Sequence, residues 1–402
     1  MMHNSMVPSF SVFRAAIIRH VPVLATRAGT LITVATTAVA LAAFAMRSLT
    51  RKTTPLMELA QGIRGEAPPE LTARADRIAA KKAKAKAPPT QEEELAMLET
   101  TPTRRFAVDD SAWIAHLDTE GYAVVSGVAD RSQLASAEGL LWDFLEQHTS
   151  WRRHDPDTWT DAALEKIGSV QNGLVNGEGM GQSDFLWYLR TLPNVRAAFA
   201  KIWNTNDLLV SFDGAGIFRP WNHSFRKTVC GWWHVDQGRG KQGRHAVQGL
   251  VSLYDADCRT GGLTVVPKSH MRFAEVVEDQ QNETVDYCTV QPYCPVIQEL
   301  PRRLVCCRAG DIILWDSRTI HANAPATETP TCERDRLLRA VGYVCMTPAQ
   351  FAPTEVRSGR RSAYEYRVST SHWPQKLDLG SAGPEPPRSL SDASHEIQRL
   401  VG

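Results

Sequence analysis

Apolar residues recur at helical spacing across residues 130–148, where Leu134, Ala137, Leu140, Leu141 and Phe144 fall on one face. Residues 109–117 read as another helix, and 187–203 contain a third that begins after Leu192-Pro193, because a proline suits a first helical turn. Between them, Gly121-Tyr-Ala-Val-Val-Ser-Gly127 is a short apolar strand. From Leu208 onward the pattern becomes strand-rich: 208–218, 231–236, 246–254, 262–266, 304–307, 311–315 and 338–346. Turn material such as Thr260-Gly-Gly262 and Pro267-Lys-Ser269 punctuates these runs. Many short strands with little helix between them predict an antiparallel barrel or sandwich with helices along one side, rather than a parallel α/β sheet. From about Ser358 the pattern loosens, and 380–402 is mostly polar, with a short helix at best.

The N-terminal region follows another pattern. Residues 1–57 contain no Asp or Glu but carry Arg14, Arg19, Arg27, Arg47, Arg51 and Lys52. Within them, 30–46 is an uncharged run, TLITVATTAVALAAFAM. Two readings stand side by side. One is a transit peptide for a mitochondrion or another organelle. The other is a membrane anchor through 30–46 that leaves the folded domain in a reducing compartment. Residues 58–104 read as a Lys/Ala/Pro-rich linker, 105–376 as one folded domain, and 377–402 as a C-terminal tail.

Composition narrows the function classes. Of 402 residues, 43% are hydrophobic and 22% charged, as expected of a globular chain. The formal net charge of +1 gives no overall pull toward nucleic acid. Eight cysteines are scattered without a Cys-x-x-Cys pair, which argues against structural zinc and for reduced thiols.

The candidate chemistry begins at Gly231-Trp-Trp-His-Val-Asp-Gln237. On an extended strand His234 and Asp236 leave the same face. An imidazole and a carboxylate side by side are two thirds of a facial triad for non-haem Fe(II). A lone His-x-Asp is weak evidence, since twelve histidines give about half an instance by chance. His116 and Asp118 supply the control: they lie in a helical stretch, where positions two apart point away from each other. The candidate third ligand is His321, which ends the run Arg308-Ala-Gly-Asp-Ile-Ile-Leu-Trp-Asp-Ser-Arg-Thr-Ile-His321 and is expected on the rim of a barrel mouth. Arg339 heads the next apolar strand, and a dicarboxylate would satisfy its charge with two parallel hydrogen bonds. His245 and His270 lack partners at useful spacing and read as structural. His372-Trp373 is placed at the surface rather than over the site. The Gly-rich Met180-Gly-Gln-Ser-Asp184 reads as a plain loop or a lid.

His234-Val-Asp236, Gly261-Gly-Leu-Thr-Val-Val-Pro-Lys-Ser-His270, Gly310-Asp311 leading to His321, and Arg339 in the following strand resemble, in this order, the phytanoyl-CoA dioxygenase family. The resemblance spans about 106–346. It implies a mainly β fold with flanking helices, a double-stranded β-helix or jelly roll of the cupin kind. It also implies Fe(II) and 2-oxoglutarate as cofactors, with dioxygen and a small or medium organic molecule as reactants. His234, Asp236 and His321 would hold the iron, Arg339 the distal carboxylate of 2-oxoglutarate, and Asn323 would assist. The interval from His321 to Arg339 is longer than the family's usual one, so Arg336 stands as the alternative clamp. Halogenating relatives have a small residue where Asp236 stands, so Asp236 favours hydroxylation, coupled to conversion of 2-oxoglutarate to succinate. The rival readings are a non-catalytic jelly-roll binding module placed at a membrane by its leader, and a zinc hydrolase using the same three ligands.

Overall fold

The computed structural model describes residues 69–84, 87–220, 232–328 and 336–402. The leader at 1–57, with its apolar run, lies outside the described residues, as do Gly231 and 329–335. Among the described residues no helix is long and apolar enough to cross a membrane.

Two sheets carry the fold. The larger contains β2 (Arg105–Ala107), β3 (Tyr122–Ser126), β4 (Leu174–Val175), β6 (Ala215–Phe218), β8 (Val247–Ser252), β12 (Ile312–Asp316) and β14 (Arg339–Pro348). Their order is β2-β3-β12-β8-β14-β6-β4, and β5 (Leu208–Val210) pairs with β14 off this path. The smaller contains β1 (Leu98–Glu99), β7 (His234–Val235), β9 (Gly262–Val265), β10 (Cys288–Thr289), β11 (Arg302–Leu304) and β13 (His321–Ala324), ordered β1-β11-β9-β13-β7-β10. Pairing is antiparallel except at the edges β2–β3 and β1–β11. This is the jelly-roll type of architecture, but the sheets do not join into a closed barrel. The expected barrel mouth is therefore a space between two sheets.

The central strands are buried on both faces, which explains their near-continuous apolar sequences. One face of β8, β12 and β14 presents Val251, Leu314 and Val344 to helices, including α5 (Asp184–Thr191) and α6 (Pro193–Trp203). The other presents Leu250, Ile313 and Val341 to Leu263 and Val265 of the smaller sheet. Gly342 lets α5 approach closely, since a Cβ there would meet Leu189 and Leu186.

The helices agree with the periodicity. α3 (Ala112–Glu120) ends at Gly121 with a left-handed φ of 82°. α4 (Arg131–His148) starts at a capping box formed by Asp130 and Gln133. Other expectations are corrected. The strand expected at 208–218 splits into β5 and β6 around the irregular residues 211–214. The linker is partly folded. Arg74 of α1 (Pro69–Lys84) donates to the carbonyls of Glu278 and Gln280 at 2.7 and 2.6 Å. Beyond α2 (Gln91–Ala96), β1 joins the smaller sheet and buries Leu98. These contacts are mostly polar, so no apolar period announces them. The tail is packed too: Leu400 and Val401 of α8 (His395–Val401) enter the main core. Arg360 of α7 (Thr354–Glu365) donates to the carbonyls of Val401, Pro374, Val210 and Leu400 at 2.7–3.0 Å.

The turn after β12 carries the chain from the larger sheet to the smaller, ending at His321. Asp316 anchors it. Its buried carboxylate accepts from Arg244 Nε at 2.7 Å and from Arg318 Nε and Nη2 at 2.8 Å. Thr319 N closes the turn on Asp316 O at 2.8 Å. Burial pushes the Asp316 carboxyl up, but Arg318 and Arg244 outweigh it and hold it below the usual range. Its folded pKa is thus lower than its unfolded one, so the pair's contribution is full above the unfolded pKa of about 3.9. It is lost as pH falls through the folded value. Asp316→Ala should destabilise the protein by roughly 3 kcal/mol, the low end for a broken buried pair, because the two guanidiniums left behind are 22% and 19% exposed. In chemical denaturation, the difference between wild type and variant should be constant near neutrality and shrink below about pH 4.

Candidate active site between the sheets

β7 is only two residues long and lies between β13 and β10, with His234 directly opposite His321 and Thr289. Beyond it the chain bends, and the amides of Asp236 and Gln237 both donate to Ser317 O, at 3.0 and 3.1 Å. The turn that delivers His321 therefore also fixes Asp236. Thr319 O accepts from His321 Nδ1 and Trp232 O from His234 Nδ1, each at 2.9 Å. A carbonyl can only accept, so each Nδ1 carries a proton, which leaves Nε2 as the nitrogen each ring can offer to a metal. Both Nε2 atoms face Asp236. His234 Nε2 lies 3.6 Å from Oδ1, and His321 Nε2 lies 3.0 Å from Oδ2. One donor atom from each residue falls within 4.8 Å of the others. All three residues are about 5% exposed.

The electrostatics suit a cation. Burial pushes the Asp236 carboxyl up, yet the imidazoles of His321, His372 and His234 overcome this and hold it well below the usual carboxylate range. Burial, then the neighbouring His321, pulls His234 down to about 4, so its imidazole is neutral at physiological pH.

The structure separates the other candidates. Arg339, the first residue of β14, is 1% exposed, and neither Nη1 nor Nη2 has a hydrogen-bond partner among the described residues. Its guanidinium lies 4.9 Å from the Phe218 ring, beside Gly262 and Gly216, and a side chain at Gly216 would crowd it. Arg336 is exposed and stacks over Tyr254 at 4.6 Å. Asn323 is buried two residues past His321 on the same strand, so it shares that face; its Nδ2 donates to Asn172 O at 3.4 Å. His116 and Asp118 diverge as expected, His116 lying 5.2 Å from Phe106 and Asp118 pairing with Arg244. His245 and His270 are tied to the carbonyls of Gln242 and Asp118, at 2.9 and 3.0 Å.

Three features were not anticipated. Gln248 of β8 reaches across from the larger sheet and donates to Asp236 Oδ2. It lies in an apolar strand, and nothing in its sequence context distinguishes it. Trp232 and Tyr287 flank the His234 ring at 4.8 and 4.7 Å. His372, expected at the surface, acts electrostatically on both Asp236 and His234, while Trp373 is 1% exposed. The reason is that Thr370 N bonds Phe212 O at 2.8 Å, which draws the segment inward. The Gly-rich stretch is a buried turn that leads into α5, not a lid. The described cysteines are free thiols.

Comparison with known proteins agrees with this geometry. The sequence profile of the phytanoyl-CoA dioxygenase family (PhyH) matches residues 117–329. "Ava biosynthesis cluster protein O" of Aspergillus versicolor is 25% identical over 285 residues, covering 66% of this chain and 86% of that protein. A "putative phytanoyl-CoA dioxygenase" of Dictyostelium discoideum is 22% identical over 237 residues, covering 50% of this chain and 67% of that one. Among solved structures, the α-ketoglutarate-dependent carbocyclase SnoK of nogalamycin biosynthesis superimposes with a TM-score of 0.42 at 17% identity, covering 59% of this chain and 83% of SnoK. The epimerase SnoN, solved with Fe3+, α-ketoglutarate and nogalamycin RO, gives 0.41 at 20% identity, with 59% and 83% coverage. The family profile spans more than half of the 402 residues and contains the whole His234, Asp236, His321 cluster, and on that ground the protein belongs to the phytanoyl-CoA dioxygenase family, whose cofactors are iron and 2-oxoglutarate.

Proposed function

We propose that the protein is an Fe(II)/2-oxoglutarate-dependent hydroxylase of a small or medium organic molecule, with His234, Asp236 and His321 as the iron ligands. The observation that carries this reading is the convergence of two imidazoles and one carboxylate at a single buried point. That donor set suits Fe(II) and leaves coordination positions for other groups. When bound, iron would couple the reduction of dioxygen to the oxidative decarboxylation of 2-oxoglutarate, to succinate and carbon dioxide, and so supply an oxidant strong enough to attack an unactivated C–H bond.

The chain's own residues position and exclude. Arg339 holds the distal carboxylate of 2-oxoglutarate: it is a buried cation whose two terminal nitrogens have no hydrogen-bond partner among the described residues, and a guanidinium pairs a carboxylate with two parallel bonds. Asn323 assists from the face it shares with His321. Arg336 fits this role poorly, because it is solvated and already engaged with Tyr254. Gln248 holds Asp236 Oδ2 and so orients the carboxylate. Asp236 occupies the position that a halide would need, which favours hydroxylation. Substrate identity lies with residues around the mouth, because one such fold serves many substrates.

His234→Ala and His321→Ala should each reduce Fe(II)-dependent succinate release from 2-oxoglutarate by at least about a hundredfold. Wild-type release without added iron, or survival of release in either variant, would rule out this ligand set. For Arg339→Ala, calorimetric titration of 2-oxoglutarate into anaerobic, Fe(II)-loaded protein should show binding weakened at least about thirtyfold, as for loss of a buried charged pair. Arg336→Ala should bind as wild type does; the reverse ranking would move the clamp to Arg336. Gln248→Leu should weaken Fe(II) affinity by about 10–100-fold while leaving the fold intact, and unchanged affinity would reduce Gln248 to a packing role.

A further inference from the structure

Tyr287 stands out on three independent counts. Its backbone is left-handed, with φ of 69°, a region that non-glycine residues rarely adopt without strain. Its side chain is 47% exposed, although its ring lies only 4.7 Å from that of His234. It is also tied to the ligand strand, its N–H donating to Asp236 O at 3.3 Å.

The surroundings over-determine this conformation. The neighbouring Asp286 is clamped by Lys241 and Lys376 and accepts from Gly238 N at 2.9 Å. Gly238 has no side chain, so the Val285 carbonyl can lie against it; a Cβ there would collide. Gly240 N reaches Glu283 O at 3.3 Å. A strained residue held this firmly, with its ring left half in solvent, is poorly explained by packing alone.

The rings form a series. Trp232 stacks on His234 at 4.8 Å and 21°, and Tyr287 lies against His234 at 4.7 Å and 33°. Trp232 is itself locked, its Nε1 donating to Asn323 O at 3.3 Å. The exposed part of Tyr287 therefore continues a run of planar side chains outward from the candidate metal ligands. Val285, two residues earlier, is also exposed, at 45%.

We infer that Tyr287 is a substrate-binding residue that selects a planar, aromatic or conjugated portion of the substrate by stacking at the mouth of the site. This deepens the function proposed above and rests on it for the word substrate. The backbone strain is the cost of holding the ring in that position, and the lysine clamp on Asp286 maintains it.

The test uses the full chain, anaerobic and loaded with Fe(II) and 2-oxoglutarate, with 2-naphthol and its saturated counterpart decahydro-2-naphthol as probes. Saturation-transfer NMR and calorimetry read binding, and 2-oxoglutarate affinity is measured on the same samples. Wild type should bind 2-naphthol about tenfold more tightly than the saturated alcohol. Tyr287→Phe should keep that preference. Tyr287→Asn and Tyr287→Gly suit a left-handed backbone; they should lose the preference while their thermal midpoints equal or exceed that of wild type. Equal binding of the two alcohols by wild type would overturn the inference. So would retained preference in Tyr287→Asn, or midpoints lowered by more than about 4 °C in both backbone-compatible variants, which would mark the ring as packing for His234. Failure of 2-oxoglutarate to bind wild type would instead count against the proposed function.

Discussion

The site depends on one cross-sheet constraint: the turn from Asp316 to Thr319 fixes two strands at once. It delivers His321 opposite His234, and its Ser317 carbonyl receives the amides of Asp236 and Gln237. Without it, a carboxylate enclosed between two sheets would find no stable place, because an unpaired buried charge is expensive. With it, Asp236 is surrounded by imidazoles and the Gln248 amide, which together offset its burial. The two imidazoles must also present the correct nitrogen. Backbone carbonyls at Trp232 and Thr319 do this by holding each Nδ1 proton. The donor set is thus arranged before any metal arrives, by hydrogen bonds that belong to the fold.

Buried arginines show how such a site differs from a merely structural cation. Arg190 and Arg360 are fully enclosed, and burial pulls each down to about 9. Arg360 is nevertheless satisfied, because four carbonyls accept from it and knit α7 and α8 to β5. Arg190 likewise donates to the carbonyls of Gly181 and Asp213, at 2.6 and 2.8 Å. Arg339 is as deeply buried, but among the described residues its two terminal nitrogens have no such acceptors. That contrast with Arg360 is what supports the proposed role of Arg339 as the clamp on 2-oxoglutarate.

The same contrast explains which parts of the site were legible in the sequence. His234, Asp236 and His321 could be read because the local pattern carries the information: alternation along a strand, and a Gly-Asp turn leading into an apolar run. The helical control at His116 and Asp118 was legible for the same reason. Gln248 was not, because its role exists only where β8 faces the smaller sheet, and the two segments come together only on folding. His372 was misplaced because its position comes from a hydrogen bond between Thr370 and Phe212, a long-range contact in an irregular region. The sheet order decided sandwich against barrel, and pairing order leaves no trace in periodicity. The N-terminal linker and C-terminal tail were underestimated because they dock through arginines and carbonyls together with a few apolar residues, Leu98, Leu400 and Val401, too few to show a period.

A division of labour follows from where each group sits. The imidazoles of His234 and His321 and the amide of Gln248 stand on strands, with Asp236 just beyond one strand end, and paired backbone holds them to within small tolerances. Tyr287, Val285 and His372 stand on irregular segments, outside the paired strands. Strand register can be kept while loops change, so cofactor chemistry is a property of the family whereas selection at the mouth is a property of the individual sequence. That is also why strain is found at Tyr287 and not at the donors. A strand position needs no unusual backbone to point inward, whereas a ring held at an open rim must be forced there by its neighbours.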